Sequence, residues 1–194
     1  VQSFVAVALA RLPLSLESLA VWPVLWGFLM LWQSPGMAFT EVVISLVRRP
    51  GAVPLLRKFT LAAAFGFTAA LLVVAATPLA RVWFTNVSGL QSDLAQLAGG
   101  ALWFGTLMPA LRVLISWYQG VIMYSEQTRS IMESILLFLA VGLVGLYLGG
   151  TLTSVAGIYV GIVAFSLAFA AQAVWLRHRS LPLVRAALRD GVVR

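Results

Sequence analysis

The sequence predicts an all-α fold, a polytopic transmembrane helix bundle, and three observations predict it. Apolar residues fill 61% of the 194 positions, charged residues only 10%, and the mean hydropathy is +0.99. A soluble domain carries roughly 25% charged residues. The apolar residues also run in unbroken stretches, and a spanning helix needs about 20 of them. Finally, the basic residues collect in every second gap between those stretches, as membrane topology signals do. The runs are too long and too evenly apolar for barrel strands, which alternate and span about 10 residues.

The elements follow in chain order. The opening VQSFVAVALA reads as the end of a longer apolar helix over about 1–10. A signal peptide would put its basic residues before the apolar run, and Arg11 comes after it. The chain is therefore expected to lack an N-terminal part. Full spans are predicted over about 17–47, 58–83, 94–124, 130–149 and 152–176, followed by a basic tail over 177–194. Proline removes a backbone donor, so kinks are expected at Pro23, at Pro35 with Gly36, and at Pro109. In lipid such breaks need a neighbour or a cavity to satisfy the freed carbonyl. In the tail, Leu181, Val184 and Leu188 share a face beside Arg185 and Arg189, which suits either an interfacial helix or a frayed basic end.

The net charge of +7 would suggest nucleic acid for a soluble chain. Here the lipid bilayer is the expected partner and nucleic acid is not. Arg48, Arg49, Arg57, Lys58, Arg129 and the five arginines from Arg177 onward fall on one side of the predicted spans. The opposite side holds Arg11 and Arg81, with Glu17 and Asp93 beside them. The positive-inside rule then puts the 48–58 and 125–129 links and the C-terminus in the cytoplasm of a multi-pass inner or plasma membrane protein. There is no cysteine, and the single His178 sits among arginines, so no metal site and no cofactor is expected. Gly145 and Gly149, like Gly157 and Gly161, are four apart, a spacing that lets helices approach closely. These glycines suit static packing or a sliding surface. The short link between the last two spans predicts an antiparallel hairpin.

No soluble-enzyme constellation is present: no HExxH, GxSxG or phosphate-binding loop. The informative residues are ionisable groups inside spans. A charge at the bilayer centre costs about 2.5–3.5 kcal/mol on insertion scales, so it usually faces protein or water. Arg112 stands about 18 Å from the inner end of its span at about 1.5 Å per residue, near mid-membrane. Ser116 and Gln119 follow it by four and seven residues, giving one polar stripe on a helix. That stripe could bind an anion, since a guanidinium forks onto carboxylate or phosphate. Alternatively Arg112 pairs with Glu41 or with backbone, or snorkels. Glu133 is expected to pair with Arg129. Trp22, Trp26, Trp32, Trp103 and Trp117 suit interfacial or lipid-facing positions, or an aromatic substrate wall.

Three stretches carry a family resemblance. ESLAVWPVLWGFLMLWQSPGMAFTEVVISLV has a mid-helix proline and an acidic residue near its inner end. LLRKFTLAAAFGFTAALLVVAATPLARVWF begins basic and has a late proline. LMPALRVLISWYQGVIMYSEQTRSIMESILLFLAVGLV has a proline–leucine–arginine stretch, an aromatic–glycine turn and a basic link. Together they resemble the second half of a transporter of the multidrug/oligosaccharidyl-lipid/polysaccharide flippase superfamily, closest to progressive ankylosis proteins. The resemblance implies one six-helix MATE-like repeat lacking most of its first helix. Its partner would be the missing N-terminal half, with substrate passing between the halves by alternating access. It further implies a small anionic substrate, such as pyrophosphate, ATP or a citrate-like polyanion, and assigns Arg112 to meet it. A cation-coupled multidrug exporter, a polysaccharide-lipid flippase and a non-transport scaffold are the alternatives.

Overall fold

In the computed structural model the described residues are 14–190, apart from 50, 126, 127 and 154, with only the backbone described over 185–190. The expected helix remnant over 1–10 and the side chains of Arg185, Leu188 and Arg189 lie outside them. Eight helical elements follow in order: α1 (Ser15–Leu46), α2 (Ala52–Ala76), α3 (Leu79–Val82), a π-helical turn (Trp83–Val87), α4 (Ser92–Gly105), α5 (Met108–Tyr124), α6 (Arg129–Leu152) and α7 (Gly157–Asp190). No strand occurs among the described residues. α1, α2, α6 and α7 are each long and apolar enough to cross a membrane, and the bent pair α4 and α5 is so when taken together. The five expected spans are thus present as helices.

Three boundaries differ from expectation. The predicted 94–124 span is two helices meeting at about 40° around Gly105–Met108. Pro109 does not kink a continuous helix; it sits in the first turn of α5, where its missing N–H costs nothing. The 58–83 span begins earlier, at Ala52, and stops at Ala76, because Pro78 cannot donate to Val74. The tail is not a separate interfacial helix: α7 continues through Pro182 to Asp190. α1 likewise runs as one helix through Pro23 and Pro35.

Hydroxyls repair two of the proline breaks. Pro35 leaves the Leu31 carbonyl without its usual donor, and Ser34 Oγ donates to that oxygen at 2.9 Å. Pro78 leaves the Val74 carbonyl free, and Thr77 Oγ1 donates to it at 3.3 Å and to the Val73 carbonyl at 2.8 Å. At the α4–α5 break, Thr106 Oγ1 donates to the Trp103 carbonyl, and Ser166 Oγ from α7 donates to the Phe104 carbonyl, both at 2.8 Å. Breaks at membrane depth are tolerated on these terms.

α7 is the central element. Over half of its most apolar stretch is buried, 56%, against 17% for α2 and 11% for α6, whose apolar flanks turn outward as lipid-facing helices do. The core packs Leu25, Leu29, Leu102, Met108, Ile115, Ile158 and Ile162, all fully buried. Trp22 and Trp26 stack at 5.5 Å and meet Phe165 of α7 edge-on. They are core residues, not interfacial ones, and Trp117 is buried in a second cluster with Phe39 and Val43. Trp103 remains outward-facing, and Trp32 is half-buried.

α6 and α7 form the expected antiparallel hairpin. A Cβ on Gly145 would lie 3.0 Å from Ala164 Cβ, and one on Gly149 would run into Val160. Gly161 serves a different contact, against Trp22 of α1 at 2.9 Å, and Gly157 is buried at the start of α7. The two glycine pairs therefore do not face each other. At the far end of the hairpin Glu133 accepts from Arg179 at 2.6 Å, besides pairing with Arg129 at 3.3 Å as expected.

Candidate functional site

The candidate site lies on the seam between α1 and the bent α4–α5 crossing. The two run parallel, and glycine is present at each close contact. Gly105 meets Leu29, Gly36 meets Arg112 and Val113, and Gly120 meets Val43 and the Thr40 carbonyl. The contacts recur about every seven residues, the spacing of two helical turns and of left-handed helix pairs. Without side chains at these positions, the backbones come close enough to seal the seam along its length.

Polar groups are set into this tight seam. Gln33 is fully buried, and neither its Oε1 nor its Nε2 has a hydrogen-bond partner among the described residues. It stands one turn before Gly36 on α1. Arg112 is half-buried and its Nε is both buried and unpartnered. Ser116, one turn further along α5, is fully buried with its Oγ unpartnered. An unmade buried donor or acceptor costs about 1–3 kcal/mol. Gln33, Arg112 and Ser116 thus concentrate polar atoms without protein partners in one stretch of about 10 Å, at about 1.5 Å per residue.

The predicted stripe is partly assembled. Arg112 and Ser116 face the seam, and Gln119 is half-buried one turn beyond. Glu41 does not join them: it is exposed and forms no ion pair among the described residues. The reason is helical phase. Gly36 points at α5, and five residues on, at about 100° each, Glu41 lies about 140° round the helix. The Arg112–Glu41 pair is therefore absent. Gln33 was missed because it ends a run dense in tryptophan and leucine and lies on a different predicted span from Arg112. Its one sequence signal was a neutral amide near the centre of an otherwise apolar stretch.

The bend adds a second feature. α5 begins at Met108, midway along the bent α4–α5 pair, and Arg112 lies in its second turn. The free amides of a half-helix start favour negative charge. No family model, curated protein or solved structure matches the chain. Among the described residues no group of histidine and carboxylate side chains could hold a metal ion.

Proposed function

We propose that the chain is one half of a secondary transporter that exports or flips an organic or phosphorylated anion, with Arg112 meeting the anion. The observation that carries this reading is the Arg112 guanidinium at the α4–α5 bend, beside the unpartnered Gln33 and Ser116. A cation, amide donors and a helix start collected at mid-crossing suit a carboxylate or phosphate. The resemblance to the multidrug/oligosaccharidyl-lipid/polysaccharide flippase superfamily, and to progressive ankylosis proteins within it, points the same way. In that reading a second, MATE-like half faces this one, and the C-terminal end lies in the cytoplasm.

A second reading has its own observation. Leu31, Ser34, Ala38, Glu41 and Ser45 form an exposed stripe along α1. A carboxylate in lipid is costly, so this stripe suits a water-lined face. It favours a cation-coupled multidrug exporter in which Glu41 carries the coupling charge.

Efflux of citrate, pyrophosphate and nucleotides from cells or proteoliposomes containing the intact protein separates the two. Arg112→Gln abolishes anion efflux with expression unchanged, while Glu41→Gln leaves it intact. Unchanged efflux in Arg112→Gln would remove Arg112 from the mechanism. Loss of proton- or sodium-driven drug efflux in Glu41→Gln alone would establish the second reading.

A further inference from the structure

A second concentration of positive charge lies away from the α1–α5 seam. A cavity of about 470 Å³ opens between α2, α5 and α7. Arg57 of α2, Arg177 of α7 and Tyr118 of α5 line it, and Leu61, Leu114 and Leu181 are among the apolar residues of its walls. The two arginines reach the same cavity from different helices, with Tyr118 on a third. Both are exposed, and neither pairs with a carboxylate among the described residues. Glu133, the acidic residue that binds arginine at this end, is engaged by Arg129 and Arg179.

The position of the cavity along the helices bears on its ligand. Arg57 lies five residues after the start of α2, and Tyr118 six before the end of α5, so the cavity sits near the end of the bundle. Arg177 is twenty residues from the start of α7. At about 1.5 Å per residue that is about 30 Å, one hydrocarbon thickness, which is where lipid phosphates lie. Two forked cations with a phenol match a phosphate oxygen set. The leucines on the same walls match the beginning of acyl chains, which a soluble phosphate would leave uncovered. We infer that this cavity binds the phosphate headgroup of an anionic phospholipid, with its chains laid against Leu61, Leu114 and Leu181. The site is separate from the Arg112 seam and does not depend on what that seam carries.

The test uses the intact protein in nanodiscs of equal parts phosphatidylglycerol and phosphatidylcholine, with co-retained lipid counted by native mass spectrometry. The wild type retains phosphatidylglycerol preferentially. Arg57→Gln and Arg177→Gln each lower that preference by about fivefold, the contribution of one basic residue near an anionic headgroup. The double lysine variant keeps most of it, since charge persists. Arg49→Gln, an exposed arginine outside the cavity, leaves it unchanged. Leu114→Trp fills the cavity without touching either arginine and also loses the lipid, which guards against a glutamine variant that fails to fold. The inference is overturned if the folded double glutamine variant keeps the wild-type preference. It is equally overturned if Arg49→Gln loses as much, which would make the effect one of net charge. Protection of the wild type by inorganic pyrophosphate without lipid enrichment would overturn the lipid assignment in favour of a soluble phosphate.

Discussion

Gly36 of α1 is the seat of Arg112: a Cβ at that glycine would stand 3.2 Å from Arg112 Cγ. The aliphatic stem of the arginine packs against α1 at this glycine, and its Nε is buried there without a partner among the described residues. One glycine thus decides both how closely the helices meet and where the guanidinium reaches.

Substitutions at glycine separate by the space each one has. At Gly120 of α5 a Cβ would sit 2.6 Å from Val43 Cγ1 and 3.2 Å from the Thr40 carbonyl. Overpacking costs about 1–3 kcal/mol, more than the gain of about 1 kcal/mol that alanine brings to a helix. Gly120→Ala is therefore destabilising by about 1–2 kcal/mol in thermal or denaturant unfolding in detergent. At Gly27 of α1 a Cβ would meet nothing within 4 Å, and Gly27→Ala raises stability by up to about 1 kcal/mol. Equal effects at the two glycines would mean that the seam is not close-packed.

Gln33 distinguishes a binding residue from a structural one. Its amide is fully buried with neither atom partnered among the described residues. Removing an unsatisfied group relieves its desolvation, so Gln33→Leu stabilises the fold by about 1–2 kcal/mol. If Gln33 donates to the transported anion, the same variant lowers efflux by about tenfold, the factor carried by a charged hydrogen bond of about 1.5 kcal/mol. A variant that is less stable and fully active would reverse the assignment.

Ser18 caps a helix to which it does not belong. Its hydroxyl accepts from the Ile158 N–H in the first turn of α7, at 3.2 Å and buried, 140 residues along the chain. Removing a capping hydroxyl typically costs about 1 kcal/mol. Ser18→Ala is expected to speed hydrogen exchange at the Ile158 amide by about fivefold while amides midway along α7 exchange as before. Uniform acceleration along α7 would indicate global loosening instead.

The helices were legible in the sequence because lipid demands uniform apolar length, and length survives in composition. The α6–α7 hairpin was legible because its link is too short for another arrangement. Glu133 paired with Arg129 as a helical i to i+4 pair does, but Arg179 was hidden because its contact depends on how α7 lies against α6. The bend before Pro109 was not legible, since an apolar run reads the same whether straight or broken. The continuity of α7 past Arg177 was missed because rising charge resembles the end of a span. Of the candidate site, Arg112 stood out by the cost of its charge in lipid, and Ser116 by its place one turn further along the same helix. Glu41 was misplaced because depth along a helix says nothing of its direction around it, and Gln33 needs the partner helix to be seen as buried.

The hydroxyls before Pro35 and Pro78 bear on how the bundle can deform. A helix in hydrocarbon can change curvature only if no carbonyl is stranded as its ladder opens. Ser34 already holds the Leu31 oxygen, and Thr77 the Val74 oxygen, so bending at either point breaks no backbone bond. The glycine contacts hold α1 to its neighbour on both sides of Pro35, at Leu29 before it and at Gly36 and Val43 after it. Any change of curvature is thereby confined to the two turns of α1 between Leu29 and Gly36, the stretch that carries Gln33.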